Sequence, residues 1–399
     1  MASPLRALAS RDFRRYFAGQ LVSVAGTWMQ QLAMAWLMYR LTDSAWMLGL
    51  LGFAAQVPIL LLGPLGGVWS DRFDRRRLML VTQSLAMLQS LILAWLTWQG
   101  LVGPWSLLAL AFALGCINAV DVPARQSLVV HLVDDRAQLP NAIALNSFMM
   151  NTTRFVGPAL AGLVVAWVGE AVCFLINALS YLAVLVALLG LHARPAGDAS
   201  KRTLHALRDG LAYTFSHRDI RRFLILVATV SFLVAPYVSM MPIYAEAIFG
   251  GDARVLGFLI ASAGAGSLTA SLFLATRHST EGLERRVSLA GASAGLALAA
   301  FAFNDWLAAA FPILMGLGFS VVLVAAGSNT LLQGWVRDDM RGRVMATFSM
   351  AFLGMAPLGS LAVGALAESA GLRVTLFACG LATLAVGLAH RRYRPANSA

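Results

Sequence analysis

Gly66-Gly67-Val68-Trp69-Ser70-Asp71-Arg72-Phe73-Asp74-Arg75-Arg76-Arg77 closes the second apolar run of this chain and opens the third. A glycine at the end of a helix lets a neighbouring helix approach closely, and Gly67 is the expected contact. Asp71 can accept hydrogen bonds from the N-terminus of a neighbouring helix and can pair with an arginine. Arg72, Arg75 and Arg76 would hold the loop at a polar surface. An ordinary basic loop needs neither the glycine nor the Asp-Arg step.

Working outward, the rest of the chain repeats this alternation of apolar run and basic loop. Of 399 residues, 59% are apolar and only 12% charged, with a mean hydropathy of +0.73. A soluble domain carries about twice that charged fraction. The apolar runs are long enough to span a membrane many times, at about 20 residues per crossing. With twelve spans and the N-terminus inside, roughly 26 of the 30 Lys and Arg fall in cytoplasmic segments or at their edges. Arg40, Arg254 and Arg373 fall on the far side, and Arg154 falls inside a helix. The first apolar run follows Arg6, Arg11, Arg14 and Arg15 without a small-residue cleavage pattern, so it is expected to remain as a membrane helix.

The spans are expected near 16–39, 46–69, 78–98, 105–130, 138–167 and 170–191, then 222–248, 255–276, 287–303, 306–334, 342–367 and 373–390. The longest break, 192–221, carries Leu204, Leu207, Leu211 and Phe215 at near-helical spacing. It reads as a cytoplasmic linker with one amphipathic helix on the membrane surface, or as a plain connector. It divides a six-helix half, 1–191, from a second, 222–399. Leu132-Val133-Asp134-Asp135-Arg136 and Trp335-Val336-Arg337-Asp338-Asp339 follow the fourth span of each half, a weak internal repeat. Two such halves around a midplane site make a transporter architecture.

The opening segment resembles the Gly-x-x-x-Asp-Arg-x-Gly-Arg-Arg signature of the major facilitator superfamily. Gly67, Asp71, Arg72, Arg75 and Arg76 match, and Asp74 stands where the family usually has glycine. Further stretches look like its enterobactin-exporter-like branch: Arg40 to Ser44, Asp121-x-Pro123-x-Arg125, Arg154-x-x-Gly157-Pro158 and Arg341-Gly342-Arg343. The resemblance implies an all-α polytopic membrane protein of twelve transmembrane helices in two six-helix halves. It implies export of siderophores or other small molecules against proton entry, with the signature as a conformational latch. Gly157-Pro158-x-x-x-Gly162 resembles the fifth-helix motif of antiporters without its full glycine series. The alternative there is a simple helix kink with small-residue packing.

Asp121 is the one carboxylate within or near the end of a span. A buried carboxylate resists ionisation and can bind and release a proton, so coupling is one role. Pairing with Arg125, one turn away, is the other, an inner gate that its depth in the helix favours. Arg154 is costly at mid-span unless paired or wetted. It either meets an anionic cargo or bonds to carbonyls opened at Gly157-Pro158. Gln30, Gln31, Asn118, Asn146, Asn151, Asn329 and Gln333 are substrate-pathway candidates, although each such residue alone is more often an interhelical hydrogen bond than a ligand contact. Tyr237, with Met240, Met241 and Tyr244, offers an adaptable cargo surface or plain packing.

No enzyme constellation, metal cluster or phosphate-binding Gly-Lys-Ser loop is present, so no cofactor is called for. Cys116, Cys173 and Cys379 have neither disulfide nor metal spacing. The charge of +11 lies in short loop clusters that suit anionic lipid, not nucleic acid. The expected partners are a small-molecule substrate, protons and membrane lipid, with the protein a monomer. Basic charge carried almost wholly by arginine points to a bacterial genome and hence to a cytoplasmic membrane. The leading function is proton-linked export. An importer or uniporter of the same fold and a non-transporting sensor or scaffold are the alternatives.

Overall fold

The computed structural model describes residues 6–133, 138–191, 213–214, 216–277 and 279–392, and the linker's proposed amphipathic helix and the Asp134-Asp135-Arg136 motif lie outside them. The described residues form twelve helices and no strand. They are α1 (Arg11–Thr42), α2 (Ala45–Arg72), α3 (Arg75–Trp98), α4 (Pro104–Val129), α5 (Leu139–Val168) and α6 (Glu170–Leu189). The second set is α7 (Arg218–Ile248), α8 (Ala253–Ala275), α9 (Leu283–Ala302), α10 (Leu307–Trp335), α11 (338–370) and α12 (Leu372–Arg392). Nine of the described helical stretches are long and apolar enough to cross a membrane.

Each expected apolar run is a helix, but several begin earlier than hydropathy indicates. α1 starts at Arg11, α3 at Arg75 and α9 at Leu283. Hydropathy marks only the roughly 30 Å of hydrocarbon depth. Backbone hydrogen bonding continues through the polar ends, and a 32-residue helix such as α1 is about 48 Å long.

Contacts divide the chain into two compact units. The first holds Met1–Asp43, Ala54–Ser200 and Asp252–Ala261. The second holds Ser44–Phe53, Lys201–Gly251 and Ser262–Ala399. Thus the first residues of α2 pack within the second unit and those of α8 within the first. Glycine permits both associations. A Cβ on Gly49 of α2 would lie 2.5 Å from the Ser360 carbonyl oxygen and 2.8 Å from Gly364 Cα on α11. A Cβ on Gly162 of α5 would lie 3.0 Å from Gly257 Cα on α8. Such backbone proximity is how small residues replace the missing hydrophobic drive in lipid.

Within the first unit α1 packs on α5 and α6, and α3 on α4 and α6. Within the second, α7 packs on α11 and α12, and α9 on α10 and α12. The same pairings recur at equivalent positions. So do two single-residue connections, Gly169 between α5 and α6 (φ 83°) and Gly371 between α11 and α12 (φ 88°). Both positive φ values suit glycine. α7 and α11 carry wide π-helical turns at Val230–Val234, Tyr244–Ile248 and Met350–Gly354. The first brings the Phe232 carbonyl to within 2.1 Å of where a Cβ on Gly359 would stand.

Candidate functional site

The loop between α2 and α3 is held from within. Asp74 caps α3, its carboxylate accepting from the backbone N–H groups of Arg76 (2.8 Å) and Arg77 (3.2 Å). That accounts for aspartate at this position, since an N-cap acid satisfies donors that the first helical turn leaves open. Arg76 crosses to α6 and donates to the carbonyls of Leu188 and Leu189, both at 2.7 Å, closing that helix's C-terminus. Arg75 Nη1 lies 3.4 Å from His131 Nε2. Arg72 is exposed. A shallow cleft beside the loop is lined by Asp12, Asp74, Arg75, Arg76 and His131. Gly67 is not the contact glycine: a Cβ there would meet nothing within 4 Å among the described residues. Gly66 is, its Cβ position falling 2.0 Å from the Ala119 carbonyl oxygen on α4, one helical position (about 100°) around α2. The Asp71 side chain lies outside the described residues.

Asp121 is buried, 3% exposed, between α4 and α3. Its Oδ1 accepts from Thr82 Oγ1 (2.7 Å) and Gln83 Nε2 (2.8 Å). The expected Asp121–Arg125 pair is not formed within 4 Å among the described residues, because α3 supplies neutral donors on the face Asp121 occupies. Ser23 Oγ of α1 reaches Gln83 Oε1 at 3.4 Å. Tyr16 Oη and Gln20 Nε2, also buried on α1, have no hydrogen-bond partner among the described residues.

One level along the same helices, Gln30 is fully buried. Its Oε1 accepts from Ser90 Oγ and Asn177 Nδ2, both at 2.7 Å, and its Nε2 donates to Gln89 Oε1 at 2.9 Å. Gln30 therefore ties α1, α3 and α6 together, with none of its surface exposed. Gln31, its neighbour, is exposed. Asn118 and Asn146 are half-buried, and Asn151 bonds back to the Ser147 carbonyl at 2.9 Å. Arg154 is exposed, with its guanidinium carbon 5.1 Å from the centroid of the Trp28 ring. Gly157 and Pro158 are buried against α1 and α8 respectively, Pro158 through its carbonyl to Gly257.

In the second unit Tyr237 is 6% exposed, while Met240, Met241 and Tyr244 are fully buried. Tyr244 donates to the Ala302 carbonyl at 3.0 Å. The adaptable surface expected of α7 is packing for these three. Gln333 bonds to Asn329 one turn earlier on α10, and its carbonyl accepts from Arg341 Nε at 3.1 Å.

Two features escaped sequence reasoning. Arg222 joins three helices, pairing with Glu284 of α9 (3.2 Å) and donating to His390 Nε2 of α12 (3.2 Å), whose Nδ1 lies 2.7 Å from Ser288 Oγ. Separations of 62 and 168 residues leave no local signal. The second concerns the arginines opposite the basic clusters. Arg40 pairs with Glu170 (2.8 Å), Arg254 with Asp252 (2.8 Å) and Arg373 with Asp305. The guanidinium of Arg254 holds Asp252 below the ordinary carboxylate range, and that of Arg373 does the same for Asp305.

Twelve apolar helices, paired alike in two units and tied by buried polar side chains, define a multi-pass membrane transporter of the major facilitator fold. Residues 2–398 match the family described as transmembrane secretion effector, and the chain belongs to that family. It is similar to the staphyloferrin A transporter of Staphylococcus aureus, at 27% identity over 93% of each chain. It is also similar to the multidrug efflux pump Tap of Mycobacterium tuberculosis, at 25% identity over 92% of this chain and 90% of that one. Among solved structures it resembles the nucleoside transporter NupG, with a TM-score of 0.76 at 12% identity over 96% of this chain and 100% of that one. It also resembles a bacterial homologue of the human lysosomal transporter Spinster in an inward-facing, unoccupied conformation. There the TM-score is 0.74 at 14% identity, over 99% and 100% of the two chains.

Proposed function

We propose that this transporter exports a small organic molecule, siderophore-like or drug-like, by alternating access in exchange for protons. It works as a monomer in a bacterial cytoplasmic membrane with both termini on the cytoplasmic side. Asp121 carries the coupling part of the proposal. It is a carboxylate buried within the first unit, held by two neutral donors and by no guanidinium within ion-pair distance among the described residues. Such a group can exist charged or neutral without breaking an ion pair, which is what a proton carrier needs. Tyr16 and Gln20 bring two further buried polar atoms to the α1 face of the first unit, where a water could be held.

The direction is supported by the family's description and by the name of the Tap efflux pump, and the cargo class by that name and the staphyloferrin A transporter's. The orientation is supported by the basic clusters at one end of the helices, against an opposite end whose three arginines each have a carboxylate partner. Everted vesicles with an acidic lumen should accumulate staphyloferrin A when they contain this protein, and a protonophore should abolish the accumulation. Accumulation indifferent to the protonophore would remove the coupling. Accumulation confined to right-side-out vesicles in acidic medium would reverse the direction.

A further inference from the structure

We infer that Arg154 and Trp28 form a recognition shelf for a planar organic anion, a carboxylate or phenolate carried on a conjugated ring. The inference rests on the transport reading above only in treating this face of the first unit as the cargo side.

Arg154 is the sixteenth residue of the 30-residue α5, and Trp28 the eighteenth of the 32-residue α1. Each is therefore about 20 Å from the nearer end of its helix. No other Lys or Arg falls in the middle third of α1 to α6. The guanidinium carbon sits 5.1 Å from the indole centroid, within cation–π range. One turn further along α5, a Cβ on Gly157 would lie 2.7 Å from Trp28 Cβ and 3.0 Å from the Ala25 carbonyl oxygen. The two helices thus touch beside the pair, which fixes the root of the indole and sets where the guanidinium can rest against it.

The face around this pair is polar at a depth where lipid would select apolar side chains. Ser147 and Arg154 are exposed on α5 with Asn151 half-buried between them, at steps of four and three residues. Gln31 is exposed one turn beyond Trp28 on α1. Four polar side chains gathered at this depth, Ser147, Asn151, Arg154 and Gln31, place this stripe on the wetted side of the unit.

A guanidinium presents planar, paired donors that match a carboxylate, and its flat face stacks on conjugated rings. Contact with the indole restricts its rotamers before any cargo arrives, so less freedom is lost on binding. Lysine would keep the charge and lose both the paired donors and the stacking face. The site therefore selects for two properties together, negative charge and planarity.

Equilibrium binding to the purified protein in nanodiscs tests this with 2-naphthoate and its neutral analogue 2-naphthamide. Naphthoate is expected to bind at least tenfold more tightly than naphthamide. Arg154→Lys and Trp28→Leu should each weaken naphthoate at least fivefold and leave naphthamide unchanged, with gel filtration reporting folding. Equal binding of the two probes to the unsubstituted protein, binding of neither, or full naphthoate affinity in folded Arg154→Lys would overturn the assignment. The comparison of probes needs no variant and no flux. If naphthoate binds as expected while vesicles fail to export, the export reading falls and the shelf stands. If vesicles export and the probes do not discriminate, only the shelf falls.

Discussion

Gln30 illustrates how a polar residue in a membrane span divides between cargo contact and bracing. Its partners on other helices, Gln89, Ser90 and Asn177, come from α3 and α6, and nothing of it is exposed. Ser90 keeps a second acceptor in the Phe174 carbonyl and Asn177 Nδ2 keeps Ser90 Oγ at 3.5 Å, but Gln89 Oε1 would be left without a partner. Each buried polar group so stranded costs about 1–3 kcal/mol. Gln30→Leu should thus destabilise the protein by about 1–3 kcal/mol, read as a lower melting temperature in detergent, with transport per folded molecule unchanged. An unaltered melting temperature with lost transport would make Gln30 a pathway residue after all. The presence of polar residues at these depths was legible from sequence, but their partners were not. Gln30 and Asn177 are 147 positions apart, and Asp121 chose Thr82 and Gln83 on another helix over Arg125 one turn away.

At the scale of elements, hydropathy located all twelve helices, because an apolar run of span length has one way to satisfy its backbone in lipid. It did not reveal the π-helical turns of α7 and α11, whose residues are as apolar as their neighbours, nor the division of α2 between the two units. α2 supplies a test with its own control. Gly49 faces backbone atoms of α11 at distances no Cβ tolerates, whereas Gly63 has nothing within 4 Å among the described residues. Gly49→Val must push α2 from α11 and should cost about 1–3 kcal/mol, the range of overpacked cores. Gly63→Ala should be neutral or gain up to about 1 kcal/mol from helix propensity. Melting temperatures of the two variants check this. Equal tolerance at both positions would mean that α2 and α11 do not meet through Gly49. The latch signature shows the same limit. Its sequence marked the loop, yet Gly66 makes the close contact, and Asp74, Arg75 and Arg76 make the described bonds.

For the whole molecule, charge placement and apolar length were enough to read a twelve-helix transporter, since both follow from the solvent rather than from packing detail. What they could not give is the chemistry of the cargo and of its driving ion, which depends on a few buried side chains. The central claim is that cargo and protons move in opposite directions and that one carboxylate, Asp121, carries the protons. The most direct measurement is proton movement in proteoliposomes that hold a pH-sensitive dye, with cargo added on one side only. The wild-type protein is expected to move protons against the cargo. Asp121→Asn is expected to exchange labelled cargo across an equilibrated membrane while moving no protons. Cargo-driven proton movement that persists undiminished in folded Asp121→Asn would contradict the claim.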